Sequence, residues 1–212
     1  SIHGVNINNI NKNILKEFKL PLVTLEAQNQ IVDELNNYQA IIDGCKKVVK
    51  NYKPIIEIDP NWEMIEIGQL VSSSKLGIVR SAKEQNDSKK ISYIKMNNIT
   101  YLGSLNLNNV AMVNINDDEL KEFSVKKGDF LFNTRNTPDL VGKCCVAEKD
   151  LNETTFNNNI MRLRLNENYL SEFLNIVLNQ NIYKKELKKN VNATTSVAAI
   201  YQKDLFSIKV PL

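Results

Sequence analysis

Asparagine, threonine, lysine and arginine recur in the polar stretches of this chain, and these side chains are the ones that meet a nucleic acid. Arginine suits guanine edges and asparagine adenine edges, while lysine and threonine hold the phosphate backbone. The first stretch, Ser72 to Lys90, carries Lys75, Arg80, Lys89 and Lys90 against Glu84 and Asp87, and it reads as a long basic loop. Lys95, Asn97 and Asn98 follow a strand candidate. Asn133, Arg135, Asn136 and Thr137, with Lys143 beyond them, form a third group. Asn157, Asn158, Thr194 and Thr195 complete the set. Arg135 and the Asn133–Thr137 loop are the candidates for base edges; Lys75, Arg80, Lys89 and Lys90 are the candidates for phosphates. The plainer reading of any one loop is ordinary turn chemistry in an asparagine-rich protein.

Catalytic sets are harder to assemble. No glycine-rich phosphate loop is present. The single histidine, His3, has no nucleophile and acid at recognisable spacing. It also lacks the companion ligands a zinc site needs. Asn136-Thr137-Pro138-Asp139 lacks the second proline and the aromatic residue of an amino-methyltransferase motif, and no cofactor glycine motif accompanies it. The expectation is a binding protein with no cofactor of its own.

The element that must carry these loops into place is the stretch Leu25 to Tyr52. Its apolar positions Ile31, Leu35, Tyr38, Ile42, Cys45, Val49 and Tyr52 step by four and three, which is a heptad seam. Val32, Ile41 and Val48 flank it. Thr24 is placed to cap the start and Pro54 to end it. A seam of this length predicts a partner helix. The alternative is an amphipathic helix lying on its own domain.

Beyond Pro54, Trp62 to Ile67 reads as a short strand with Trp62 in the core. Further strands are expected at Ile91–Met96, Val110–Ile115, Phe130–Phe132, Val141–Ala147 and Ile160–Leu165. Asn116 should cap a short helix, Asp117 to Phe123, and a helix is expected from Tyr169 to Lys189. The fold class is α+β: a globular domain of mixed short strands and helices attached to a long coiled-coil-type helix. Ile200, Leu205, Lys209, Pro211 and Leu212 stand at one constant offset after Ile10, Leu15, Lys19, Pro21 and Leu22. The chain therefore reads as 1–22, the tail of a preceding domain or repeat; 23–53, a spacer helix; and 54–212, the globular domain. A longer parent of two such units is expected, or a half-length protein that dimerises.

Composition permits this without proving it. The 212 residues are 42% hydrophobic and 24% charged, with a net charge of +3. That is ordinary for a globular chain and only mildly basic. No apolar run approaches the roughly 18 residues of a membrane span. Cys45, Cys144 and Cys145 form no disulfide framework, which suits a reducing cytoplasm.

Asn11-Lys12, Leu15, Leu20-Pro21-Leu22, Leu25-Glu26, Gln28 and Ile31-Val32 together resemble the junction found in specificity subunits of type I restriction-modification systems. Trp62, Ile67 and Gly68 resemble the opening of that family's target recognition domain. Lys127-Gly128-Asp129-Phe130-Leu131-Phe132-Asn133-Thr134-Arg135, followed by Val141-Gly142-Lys143, resembles its Gly-Asp-strand-loop element. Thr194-Thr195 to Leu212 resembles the end of such a domain. The resemblance implies a non-catalytic subunit that reads one half of a split double-stranded DNA site. It implies long helices that pair antiparallel and dock methyltransferase subunits, which modify adenine with S-adenosylmethionine. A restriction motor subunit joins indirectly. Specificity modules of type IIG enzymes share these parts and remain an alternative, as does a coiled-coil interaction module without DNA binding.

Overall fold

The computed structural model describes residues 16–52, 56–86, 88–189, 191–193 and 196–212. The chain divides into two compact units, Ser1–Tyr52 and Lys53–Leu212. In the first, α1 (Leu25–Asn51) is a helix of 27 residues, about 40 Å at 1.5 Å per residue. Thr24 caps it as expected, its hydroxyl oxygen accepting the Ala27 N–H at 3.2 Å. The seam is dressed in solvent: Ile31, Leu35, Tyr38, Ile42, Val49 and Tyr52 are all exposed, and so are Val32, Ile41 and Val48 beside them.

The second unit is built on a four-stranded antiparallel sheet in the order β2 (Val71–Leu76), β9 (Ile160–Leu165), β5 (Phe130–Asn133), β7 (Cys144–Val146). β5, β7 and most of β9 are buried on both faces, whereas β2 at the edge is half-buried or exposed. Phe130, Phe132, Met161 and Leu163 face one cluster, and Leu131, Cys145 and Ile160 face another. A second sheet joins β4 (Ala111–Val113), β3 (Ile91–Ile94) and β8 (Thr154–Phe156), with β3 and β8 parallel. The third places β10 (Asn192–Ala193) and β6 (Arg135–Asn136) on either side of β11 (Ala198–Ala199). β1 (Met64–Glu66) pairs with β12 (Lys209–Pro211), so the last residues close the domain. The Tyr169 hydroxyl fastens that closure by donating to the Pro211 carbonyl at 2.6 Å.

Several local expectations hold. Asn116 caps α3 (Asp117–Phe123), and Glu119 completes a capping box. Gly128 turns at φ 82°, a conformation that favours glycine, and feeds β5. Others need correction. Ser72–Lys90 is not one loop: its first part is β2, held to β9 by backbone pairing. Trp62 is outside the strand and exposed, and the chain turns at Ile67 into α2 (Ile67–Leu70). Gly142, at φ 84°, shortens the Val141–Ala147 strand to β7.

The Tyr169–Lys189 helix is two, α4 (Ser171–Leu178) and α5 (Asn181–Lys189). The break is local chemistry. The Gln180 N–H bonds the Val177 carbonyl, and Gln180 Nε2 takes the Ile176 carbonyl that a continuing helix would give to that N–H, while Asn179 Nδ2 shares the Asn175 carbonyl with its own N–H. Leu170, inside the expected helix, lies ahead of α4 and is exposed. α6 (Gln202–Phe206) completes the fold. In the repeated ending, Ile200, Leu205, Ile208 and Val210 are core residues, whereas Phe18 and Leu20 at the equivalent earlier positions are exposed. Ile10 and Leu15 lie outside the described residues.

Cys144 and Cys145 are buried and Cys45 is exposed. Burial pushes the Cys144 thiol up to about 12, and it pushes Cys145 up as well. Thiolates are the reactive species. A thiol reagent at neutral pH should therefore leave Cys144 and Cys145 unmodified in the native chain and label both after denaturation, as mass spectrometry of the digested protein would read.

Candidate nucleic-acid interface

The sequence-nominated side chains divide into those consumed by the fold and those left free. Asn133 is fully buried at the end of β5. Its Nδ2 donates to the carbonyls of Arg135 and Asn159, each at 2.9 Å, and its Oδ1 accepts from Asn136 Nδ2 at 2.7 Å. Thr134 is also buried and bonds the Asn159 carbonyl through both its N–H and its hydroxyl. These bonds hold β6 in place, so Asn133 and Asn136 position Arg135 and do not face a ligand themselves.

Asn98 is buried too, accepting the Lys95 N–H and donating to the Asn106 and Asn109 carbonyls. Asn157 is buried and accepts the Asn159 N–H. Lys143 Nζ donates to the carbonyls of Met96 and Ile99 at 2.7 and 2.6 Å, and burial lowers its pKa. Lys143, nominated as a DNA contact, is thus placed as a brace between two loops.

The basic stretch is also partly neutralised. Lys75 forms an ion pair with Glu122. Arg80 pairs with Glu119 at 2.7 Å, which lowers the Glu119 pKa. Lys95 Nζ donates to Gln85 Oε1 at 3.1 Å. By contrast, the ammonium groups of Lys89 and Lys90 have no hydrogen-bond or ion-pair partner among the described residues, and Asn97 and Thr137 are exposed. Thr194 and Thr195 lie outside the described residues.

One cleft of about 370 Å³ brings together two of the sequence-nominated groups that the fold leaves exposed, Arg135 and Asn158; Lys89, Lys90, Asn97 and Thr137 do not line it. On one side stand Thr134, Arg135 and Asn158, with Leu76 and Met161 nearby; on the other runs Ala199 to Lys203. Arg135 and Asn158 are exposed, and the Arg135 guanidinium has no partner among the described residues. The two sides are joined by backbone: Ala199 pairs with Arg135, and the Ile200 N–H donates to the Thr134 carbonyl at 2.9 Å. Tyr201, Gln202 and Lys203 were not singled out by the sequence. Their signal is an exposed polar triplet between two core residues, Ile200 and Leu205.

This architecture predicts a cost for Asn133→Leu. The substitution takes the side-chain donor from the Arg135 carbonyl and the acceptor from Asn136 Nδ2, while Thr134 still serves the Asn159 carbonyl. About 1–3 kcal/mol of stability should be lost per unsatisfied group, measurable by urea denaturation.

The sequence matches the family described as Type I restriction modification DNA specificity domain over residues 1–51 and 60–212. The chain belongs to that family. Solved structures similar to this specificity-domain chain include "Crystal structure of Type-I restriction-modification system S subunit from M. genitalium", at 15% identity and TM-score 0.49, covering 76% of this chain and 37% of that one. A structure titled "Structural basis underlying complex assembly andconformational transition of the type I R-M system" is 18% identical with TM-score 0.50, covering 88% and 45%. The HsdS subunit from Thermoanaerobacter tengcongensis is 15% identical with TM-score 0.48, covering 100% of this chain and 52% of its own. At 18% identity the second likeness speaks to the fold alone. The specificity-domain chain thus spans about half or less of each of these structures. No curated protein matches it. Among its described residues no helix is long and apolar enough to cross a membrane.

Proposed function

We propose that this specificity-domain chain is the DNA-reading part of a type I restriction-modification complex. It reads one half of a bipartite double-stranded site and has no catalytic activity of its own. Methyl transfer to adenine from S-adenosylmethionine falls to partner methyltransferase subunits, and cleavage to a restriction motor subunit, so the chain itself needs no cofactor and works in the cytoplasm. The observation that carries this reading is the family match over nearly the whole chain, joined to a cleft whose lining includes Arg135 and Lys203 and no acid.

The exposed seam of α1 supports a second part of the reading. Apolar strips of this extent find partners, and a two-fold pairing of α1 with the same helix of another copy covers both seams at once. In this account Ile31, Leu35, Tyr38, Ile42, Cys45, Val49 and Tyr52 form the helix-pairing interface, antiparallel along Leu25–Tyr52.

Methylation and cleavage assays on the purified chain test the division of labour. The expected result is neither activity for the chain alone. Methyl transfer by the chain unaided would instead favour the self-contained arrangement of a type IIG enzyme.

A further inference from the structure

Gln202, Lys203 and Tyr201 form one wall of the cleft, and nothing in the fold employs their polar ends strongly. Gln202 Oε1 receives a long contact from the Ser74 hydroxyl, 3.4 Å. Its amide nitrogen, the Lys203 ammonium and the Tyr201 hydroxyl have no partner among the described residues. All three residues are exposed, while Ile200 before them and Leu205 after them are core. The polar groups are therefore presented outward from anchored backbone.

Three properties of the cleft select its occupant. Arg135 and Lys203 are unpaired cations and no lining residue is acidic, so the occupant is anionic. Arg135 and Gln202 each carry a planar group able to make two parallel hydrogen bonds, the geometry that matches a purine edge in the major groove. Leu76 and Met161 add apolar surface, which suits a thymine methyl group. The two walls are tied by the β6–β11 pairing and by Asn133, so the groups are held in place before a ligand arrives.

We propose that Tyr201, Gln202 and Lys203 form, opposite Arg135, the second wall of a base-reading cleft for duplex DNA, in which Gln202 specifies an A·T pair. The proposal rests on the reading of this chain as a DNA-recognition protein. Gln202 donates to adenine N7 and accepts from N6, and Lys203 holds a neighbouring phosphate.

Selection from a randomised duplex pool with the full chain tests it, repeated with Gln202→Ala, Lys203→Ala and, as a control away from the cleft, Lys149→Ala. Thermal melts check that each variant is folded, which exposure of the three sites favours. Wild type and Lys149→Ala should enrich one motif containing an A·T pair. Gln202→Ala should lose the preference at that pair, by roughly 5- to 150-fold, and keep its preferences elsewhere. Lys203→Ala should weaken all sequences alike and reduce the salt slope by about one. A motif unchanged in Gln202→Ala overturns the cleft assignment while leaving DNA recognition standing. Binding of free deoxyadenylate as tight as binding of the duplex overturns it also. A wild-type chain that binds no duplex at low salt removes the recognition reading itself, and this inference with it.

Discussion

Replacing Asp129 with alanine should lower the stability of the globular unit by about 3–5 kcal/mol, the cost of stripping one partner from a buried ion network. Asp129 is 2% exposed. Its carboxylate accepts from Arg164 Nε at 2.7 Å and Arg164 Nη2 at 3.1 Å, and also from the Lys126 N–H at 2.8 Å. Arg162 Nε lies 3.8 Å away. The Arg162 guanidinium is itself buried, donating to the Ser124 carbonyl and lying over the Phe156 ring. Without Asp129, the buried Arg162 guanidinium faces the partly exposed Arg164 guanidinium with no ion-paired carboxylate between them. Domains of this size hold roughly 5–15 kcal/mol in total, so the loss is a large share. Urea denaturation followed by circular dichroism would measure it. A shift below 1 kcal/mol would mean that water reaches the network.

Ile42→Glu should have the other large effect, on association. If α1 pairs through its seam, the substitution places a carboxylate opposite apolar side chains, where an unpaired charge is costly. The expected result is a wild-type dimer at tens of micromolar and a monomeric variant, its dimer dissociation constant raised by roughly a hundredfold or more. The globular unit should keep its melting temperature, because Ile42 contributes nothing to its core clusters. Light scattering decides between these outcomes. A monomeric wild type would contradict the pairing.

Both predictions bear on what the sequence could reveal. Periodicity exposed the long helix, since Thr24 and the four-and-three spacing are local signals. The Asn116 cap and the Gly128 turn were local in the same way. The Arg162-Arg164 alternation was legible as a strand, but its burial was not. Both faces of β9 are covered, and the charge that allows this sits on Asp129, far away in sequence. The same limit governs the candidate interface. Asparagine in a loop offers the same amide to a base edge or to its own backbone, so Asn98, Asn133 and Asn157 looked no different from Asn97 and Asn158. Only the fold shows which amides are already spent. The cleft itself joins residues near 76, 135, 158 and 202, a grouping that no local pattern carries.

The central claim, that this chain binds duplex DNA through its own cations, is tested most directly by fluorescence anisotropy with a random-sequence duplex across a salt series. The account predicts saturable binding at 50 mM salt whose log affinity falls linearly with log salt, at a slope near −0.9 for each phosphate neutralised. Affinity that does not change with salt, or no binding at the lowest salt, would contradict it.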